Sequence, residues 1–240
     1  MYFNKFKKIA YDINGDGISR DLVNLATYTT IATKLQDNIA FYSYYTIKDG
    51  DRPDNVAYEL YGDESLYWIF FLINPKLRNM YEDWPRGSSD ILELVKAKHP
   101  TYTGIVNFND SLVSKFNLGE AVIGQLSGAQ GIIETKNVTD GYITIRVTHG
   151  TFKLDGEAVR GVTSEDAVAC DAIVESAYGP KYYTDDSTGD RVPRRSAGTT
   201  AYTRYDAAAE KNLNRGRIRI IKEEFIHDVV REFNKEMRAK

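Results

Sequence analysis

Cysteine is almost absent from this chain: Cys170 is the only one in 240 residues. No intrachain disulfide can form, and a reducing cytosolic site of synthesis fits. Histidine is scarce too. His99, His149 and His227 lie in different regions, and none has a Cys, His or Glu at metal-ligand spacing, so no zinc site is expected. Long apolar runs are missing. The longest, Leu66 to Ile73, is far short of the ~20 residues of a membrane helix, so no membrane partner is expected. Lys5, Lys7 and Lys8 precede no apolar run of about seven or more residues, so no secretion signal is expected. Charge of one sign is not in excess. A net charge of −3 gives no reason to expect nucleic acid as a main partner.

Chemistry is also short of residues. There is no nucleophile elbow, and the glycine-rich run Gly124 to Gly131 sits between strand patterns and lacks the lysine of a phosphate-cradling loop. A cell-wall hydrolase needs two carboxylates across a glycan cleft. The sequence nominates none, and Asp185-Asp186 read as a solvated pair. Asp12 to Gly17 matches the first half of a calcium-binding EF-hand loop, but the twelfth position is Val23 where a bidentate Glu is required. A turn closed by Asp and Asn side chains is the expectation there. No catalytic residue, metal or cofactor is nominated, and the chain is read as no enzyme.

What is plentiful is aromatic: 17 Tyr and 10 Phe. Tyr42 to Lys48 is β-rich, and Asp49-Gly50-Asp51 breaks it as a tight turn. Asp51 is expected to cap a helix with Pro53 in its first turn. That helix ends at Gly62 in a left-handed C-cap. Asp63 then caps a second helix, Glu64 to Ile73, which Asn74-Pro75 stops. Trp68 and Phe71 lie off the face shared by Leu66, Ile69, Phe70 and Ile73. Such an all-round apolar helix is either deeply buried or meets a partner. Ser89 to Lys98 carries a further helical stripe, and Lys222 to Met237 an amphipathic one.

Between these lies a different texture. Residues 103–178 are rich in Gly, Val, Ile and Thr and contain an internal repeat. Phe116-Asn-Leu-Gly-Glu-Ala-Val-Ile-Gly124 recurs as Phe152-Lys-Leu-Asp-Gly-Glu-Ala-Val-Arg-Gly161, and Ser127 falls opposite Ser164. Duplicated short strands suggest a small antiparallel barrel or sandwich. The polar stretch Thr184 to Gly216 has few apolar residues and is expected to need a partner for order.

The order strand, turn, helix, glycine stop, helix, Asn-Pro over Tyr45 to Pro75 resembles a LysM module. With Met1 to Gly17 before it and Met80-Tyr-Glu-Asp-Trp-Pro85 after it, the chain resembles the LysM-like baseplate wedge proteins of contractile-tailed, T-even-like bacteriophages. That resemblance implies a virion building block, made in the host cytoplasm, in several copies per tail baseplate. It would bind other wedge proteins, and the sheath-initiating protein, around the tail hub. The implied fold class is α+β: a LysM-like βααβ core with an inserted barrel or sandwich. The expected divisions are an arm (1–40), the first part of the core (41–102), the β-module (103–178), an extended polar loop (179–216) and a closing strand and helix (217–240). Strand Tyr42–Lys48 is expected to pair with Arg217–Ile221, since a lone strand leaves backbone groups unpaired.

Expected contacts to neighbouring chains are Tyr2, Phe3 and Phe6 of the arm, Trp68 and Phe71 of the second helix, and Arg194, Arg195, Tyr202 and Tyr205 of the polar stretch. The alternative function is a peptidoglycan-binding LysM module, which would use Asp49, Gly50, Asp51, Ile73 and Asn74.

Overall fold

The computed structural model describes residues 6–24, 39–107, 110–112, 115–193 and 195–239. In chain order come strands β1 (Lys8–Tyr11), β2 (Arg20–Val23) and β3 (Tyr42–Thr46), then helices α1 (Pro53–Tyr61), α2 (Trp68–Ile73), α3 (Met80–Asp83) and α4 (Ser88–Lys98). Strands β4 (Tyr102–Val106), β5 (Ala121–Gly124), β6 (Gln130–Asn137), β7 (Tyr142–His149), β8 (Ala158–Gly161) and β9 (Ala167–Glu175) follow. The chain continues through β10 (Pro180–Asp185), β11 (Arg191–Val192), β12 (Thr199–Thr203), α5 (Arg204–Leu213), β13 (Arg217–Ile221) and α6 (Glu223–Ala239). It divides into two compact units, Met1–Gly87 with Asn212–Lys240, and Ser88–Lys211.

The first unit is organised on a two-stranded antiparallel ladder of β3 and β13, with Tyr42 opposite Ile221 and Thr46 opposite Arg217. This is the pairing expected from the sequence. Alternation sends Tyr45, Ile218 and Ile220 to one side, onto Val56, Ala57, Phe70 and Trp84. Helix α1 begins with Pro53 and ends at Gly62, whose φ of 68° supplies the left-handed cap. Asp51 does not cap it. Its carboxylate accepts from the Lys48 N–H (2.9 Å) and the Tyr45 hydroxyl (3.1 Å), closing the turn instead. The second helix is also shorter than expected. Asp63 accepts from the Ser65 N–H (2.8 Å), and Glu64–Tyr67 form a 3-10 turn before α2.

Helix α2 is apolar all round because it is wedged between two clusters. Phe70 joins the one beneath the ladder, while Ile69 and Ile73 join Ile226, Val229 and Phe233 of α6. Fully burying one such side chain contributes about 1.5–3 kcal/mol, so this helix anchors the unit. At the N-terminal hairpin, Asp12 accepts from the N–H groups of Asn14, Asp16 and Gly17, which closes the turn with side-chain hydrogen bonds. At the point where the chain leaves and re-enters this unit, Asn212 pairs with the backbone of Arg86 in both directions, at 2.9 and 3.0 Å.

The second unit holds a closed six-stranded barrel in the order β4-β7-β6-β5-β8-β9. The sequence repeat becomes a two-fold pseudosymmetry. The β5–β6 pairs Ala121↔Ile132, Val122↔Gly131 and Ile123↔Gln130 recur as the β8–β9 pairs Ala158↔Ala169, Val159↔Val168 and Arg160↔Ala167. The β6–β7 pairs Ile133↔Ile145, Thr135↔Thr144 and Lys136↔Ile143 recur as Cys170↔Val106, Ala172↔Ile105 and Ile173↔Gly104. The irregularity at Glu134 recurs at Asp171. The third strand of the second copy, β4, thus comes from before the first copy and closes the barrel. Entry and exit then lie together, with the Ser176 N–H donating to Thr101 O at 2.9 Å. An insertion whose ends meet costs its host little.

The two copies are tied by exchanged carboxylates. Glu120, in the first, accepts from the N–H groups of Thr163 (3.0 Å) and Ser164 (2.7 Å) in the second. Glu157, in the second, accepts from those of Leu126 (3.0 Å) and Ser127 (2.9 Å) in the first. Gly124 and Gly161 make room: a Cβ on either would stand 2.6 or 2.4 Å from a carboxylate oxygen of Glu157 or Glu120. Phe116 and Phe152, the repeat's aromatic pair, fill the interior with Ile133, Ile143, Val159 and Ile173.

Cys170 lies in this core. Burial first, and then the nearby negative charges of Asp171, Glu157 and Asp110, push its thiol up to about 12. The folded protein at pH 8 is therefore expected to leave a thiol-reactive probe unreacted, with full labelling after denaturation. Rapid labelling without denaturant would contradict the closed barrel.

Residues 179–216 are more ordered than a polar loop. Strands β11, β10 and β12 form a three-stranded sheet in that order, and α5 follows. The sheet is held by ladder hydrogen bonds and by Tyr182 stacked on Tyr202 at 4.6 Å. Pro180 and Tyr183 are its buried residues. Backbone pairing and aromatic stacking thus order a stretch whose apolar content alone is too low to do so.

Candidate protein-interaction surface

The ladder of β3 and β13 positions a surface of arginines and tyrosines on the first unit. Residues directly opposite in an antiparallel pair share a face. The Arg-Ile-Arg alternation of β13 therefore meets the Tyr-Ser-Tyr alternation of β3. The Arg217 guanidinium lies 4.4 Å from the centroid of Tyr44, and that of Arg219 lies 4.9 Å from Tyr42. The two tyrosines meet edge to face at 5.9 Å. Tyr44 is 54% exposed. Among the described residues, neither Arg217 nor Arg219 has a carboxylate partner. A cleft of about 210 Å³ adjoins them, lined by Tyr44, Asn74, Lys76, Arg215, Arg217 and Arg219. Arg215 is committed to Asp83.

Asn74 fixes this surface from behind. Its Nδ2 donates to Arg219 O (2.8 Å) and to Phe70 O (2.8 Å), and its Oδ1 accepts from the Arg219 N–H (2.8 Å). The side-chain amide acts as one more peptide unit on the edge of β13. The Tyr61 hydroxyl, which burial pushes well above its usual value, donates to Ile221 O on the same edge (3.1 Å).

The residues named for a glycan groove are otherwise engaged. Ile73 is buried, and the Asn74 amide is spent on backbone. Asp51 closes its own turn, and its carbonyl accepts from Trp84 Nε1 at 2.7 Å. Asp49 lies against Gly87, and Gly50 adopts φ 82° in the exposed turn.

The residues named for contacts with neighbouring chains are dispersed. Tyr2, Phe3 and Arg194 lie outside the described residues. Phe6 is buried with Ile69, Ile221 and Phe233 in the unit's own core. Trp68 is half-buried against Phe233 (4.3 Å), and Phe71 against Trp84 (5.8 Å). In the second unit, Arg195 pairs with Asp171 (3.2 Å). Tyr202 donates to Glu210, which raises its phenol to about 12. Tyr205 packs with Ile91, Val95 and Ala177.

A cleft of about 740 Å³ in the second unit is lined by Lys98, His99, Glu134, Lys136, Tyr142 and Arg204 among others. Two of its cations, Lys136 and Arg204, have internal work. Lys136 Nζ donates to the carbonyls of Lys115 (2.8 Å) and Phe116 (3.2 Å). Arg204 donates to Ser176 O (2.9 Å) and lies over the Tyr142 ring. Burial, then the charges of Arg204 and Lys98, hold His99 below its ordinary value. Glu134, the one carboxylate among the described lining residues, pairs with Arg146 at 2.9 Å. This arrangement is polar and positive but offers no acid and base poised across a substrate.

The sequence named Asn74 only under the glycan-binding alternative, whereas its amide is spent on the backbone of Arg219 and Phe70; Tyr42, Tyr44, Arg217 and Arg219 were not named as contact residues. Their alternation was the available signal, but it acquires meaning only once the register of the ladder is known. Compared with known proteins, residues 1–107 match the family described as Base plate wedge protein 53. No curated protein matches the chain.

Proposed function

We propose that the chain, whose residues 1–107 match the baseplate wedge family, is a structural component of a phage tail baseplate that ties neighbouring wedge proteins together around the tail hub. The observation that carries the proposal is the family match itself, which runs through the arm, the first half of the ladder core and into the first barrel strand. In this reading β3, α1, α2 and β13 are a LysM-like core turned from glycan to protein contacts. Its partners are other wedge proteins and the sheath-initiating protein, its place is the tail baseplate of the virion, and its role is not enzymatic. The commitment of Asn74 to the backbone of Arg219 supports protein over glycan as the ligand, since a groove amide must be open to bind sugar.

The test is assembly. Purified chain mixed with the other wedge components of its phage is expected to enter a complex isolated by sedimentation, and omission of the chain to leave wedges unjoined. Wedges that join equally well without it would refute this role. Retention of the isolated protein on purified cell walls would favour the peptidoglycan-binding alternative.

A further inference from the structure

The two edges of the β3–β13 ladder are treated differently. In an antiparallel pair, residues alternate between exchanging hydrogen bonds with each other and pointing their N–H and C=O groups outward. The bonds Ile47 N–H to Gly216 O (2.8 Å) and Lys222 N–H to Phe41 O (3.0 Å) set the phase. Ser43 and Tyr45 face β13, so Tyr42, Tyr44 and Thr46 point outward, as do Arg219 and Ile221 on the other strand. The outer edge of β13 is closed: Asn74 takes both backbone groups of Arg219, and the Tyr61 hydroxyl takes Ile221 O. Along the edge of β3, by contrast, the backbone groups of Tyr42, Tyr44 and Thr46 have no partner among the described residues. Folded proteins blunt or cover such edges, because an open one templates the addition of another strand.

Charge says what kind of strand. The face beside this edge carries Arg217 and Arg219 over Tyr44 and Tyr42, with Lys76 in the adjoining cleft, in a chain whose net charge is −3. We propose that β3 is a docking edge that accepts an extended acidic segment of a neighbouring wedge protein as a third strand of this sheet. Main-chain pairing to Tyr42, Tyr44 and Thr46 supplies affinity, and alternate carboxylates on Arg217 and Arg219 supply register and specificity. That the occupant is a wedge protein rests on the functional reading above; the open edge and its charge do not.

The test compares amide exchange at Tyr42, Tyr44 and Thr46 in the full chain, free and in the assembled wedge complex. In the complex these amides are expected to exchange at least about tenfold more slowly. Unchanged exchange in a complex that contains the chain would overturn the docking edge while leaving the assembly role intact. Failure of the chain to enter any complex would sink the assembly role itself. Two variants read the chemistry. Tyr44→Pro removes an outward N–H that the ladder does not use. Arg217→Glu with Arg219→Glu reverses the charge. Each is expected to weaken incorporation about tenfold or more while the melting of the free chain stays near wild type. Full incorporation of both variants would refute the proposal. So would equal protection of the free chain at high concentration with a shift to dimer, which would make a second copy the occupant. Protection by single-stranded DNA, abolished by the charge reversal, would make it a nucleic acid.

Discussion

Replacing Glu157 with alanine is expected to destabilise the barrel by about 4 kcal/mol. Glu157 is buried, and its carboxylate accepts from four donors: the N–H groups of Leu126, Ser127 and Lys153 and the Ser127 hydroxyl, the last at 2.7 Å. Alanine removes the acceptors and strands the donors, and each buried orphan costs about 1–3 kcal/mol. Water entering the space left by the side chain recovers part of that. Glu120→Ala is expected to cost about 3 kcal/mol, since it serves the N–H groups of Asn117, Thr163 and Ser164. Urea unfolding, followed by exchange of the Val122 and Val159 amides, reports the barrel separately from the other unit. A loss below about 1 kcal/mol for both variants would show that the exchanged carboxylates do not hold the two copies together.

The same pair sets an acid limit. Burial pushes both carboxyls up, but the backbone N–H groups of Ser164 and Asn117 at Glu120, and of Lys153 and Ser127 at Glu157, outweigh it and leave both below the ordinary value of 4.5. A carboxylate lowered by folding contributes stability above its unfolded pKa and loses it as pH falls through the folded one. The barrel is therefore expected to hold its stability at pH 5 and above and to lose it progressively below about 4.5. In the Glu120→Ala, Glu157→Ala double variant that acid slope should flatten. A slope equal to that of the wild type would place the acid sensitivity elsewhere.

Asn74→Ala carries the second large effect, in the other unit. It removes both hydrogen bonds that close β13 at Arg219 and the one to Phe70 O. The expected cost is about 3 kcal/mol, because Asn74 is buried and the groups it serves lie between α2 and the ladder. Asn74→Asp is the sharper probe. Its carboxylate still accepts from the Arg219 N–H but faces the Arg219 and Phe70 carbonyls with no donor, so it should destabilise at least as much at pH 7. A second consequence follows from the edges: without Asn74 the ladder has two open sides. Concentration-dependent association in light scattering is expected for Asn74→Ala and not for wild type. An alanine variant that melts like the wild type and stays monomeric would show that the amide bridge is incidental.

Features whose cause is local or periodic are legible in the residues alone. Gly62 can end α1 because glycine tolerates positive φ at no cost, and Asp63 can cap the turn after it because its carboxylate reaches an N–H two residues on. The spacing of Ile226, Val229, Phe233 and Met237 fixes the buried stripe of α6 whatever it packs on. The resemblance to a LysM order made β13 the best candidate mate for β3, and the repeat suggested a duplicated barrel or sandwich. Whatever depends on which distant groups compete for one hydrogen bond emerges only on folding. Asp51 was a reasonable cap until the Lys48 N–H and Tyr45 hydroxyl claimed it. Glu120 and Glu157 stand out in the sequence only as matching positions of the repeat, yet closure of the barrel brings each beside the other copy's turn, where bare N–H groups await an acceptor. Strand β4 completes a symmetry whose other members lie far along the chain, and Asn74 becomes a piece of β-sheet only because α2 sets it against Arg219. The difference is physical: period and propensity act over a few residues, whereas satisfying a buried polar group depends on what folding brings within about 3 Å of it.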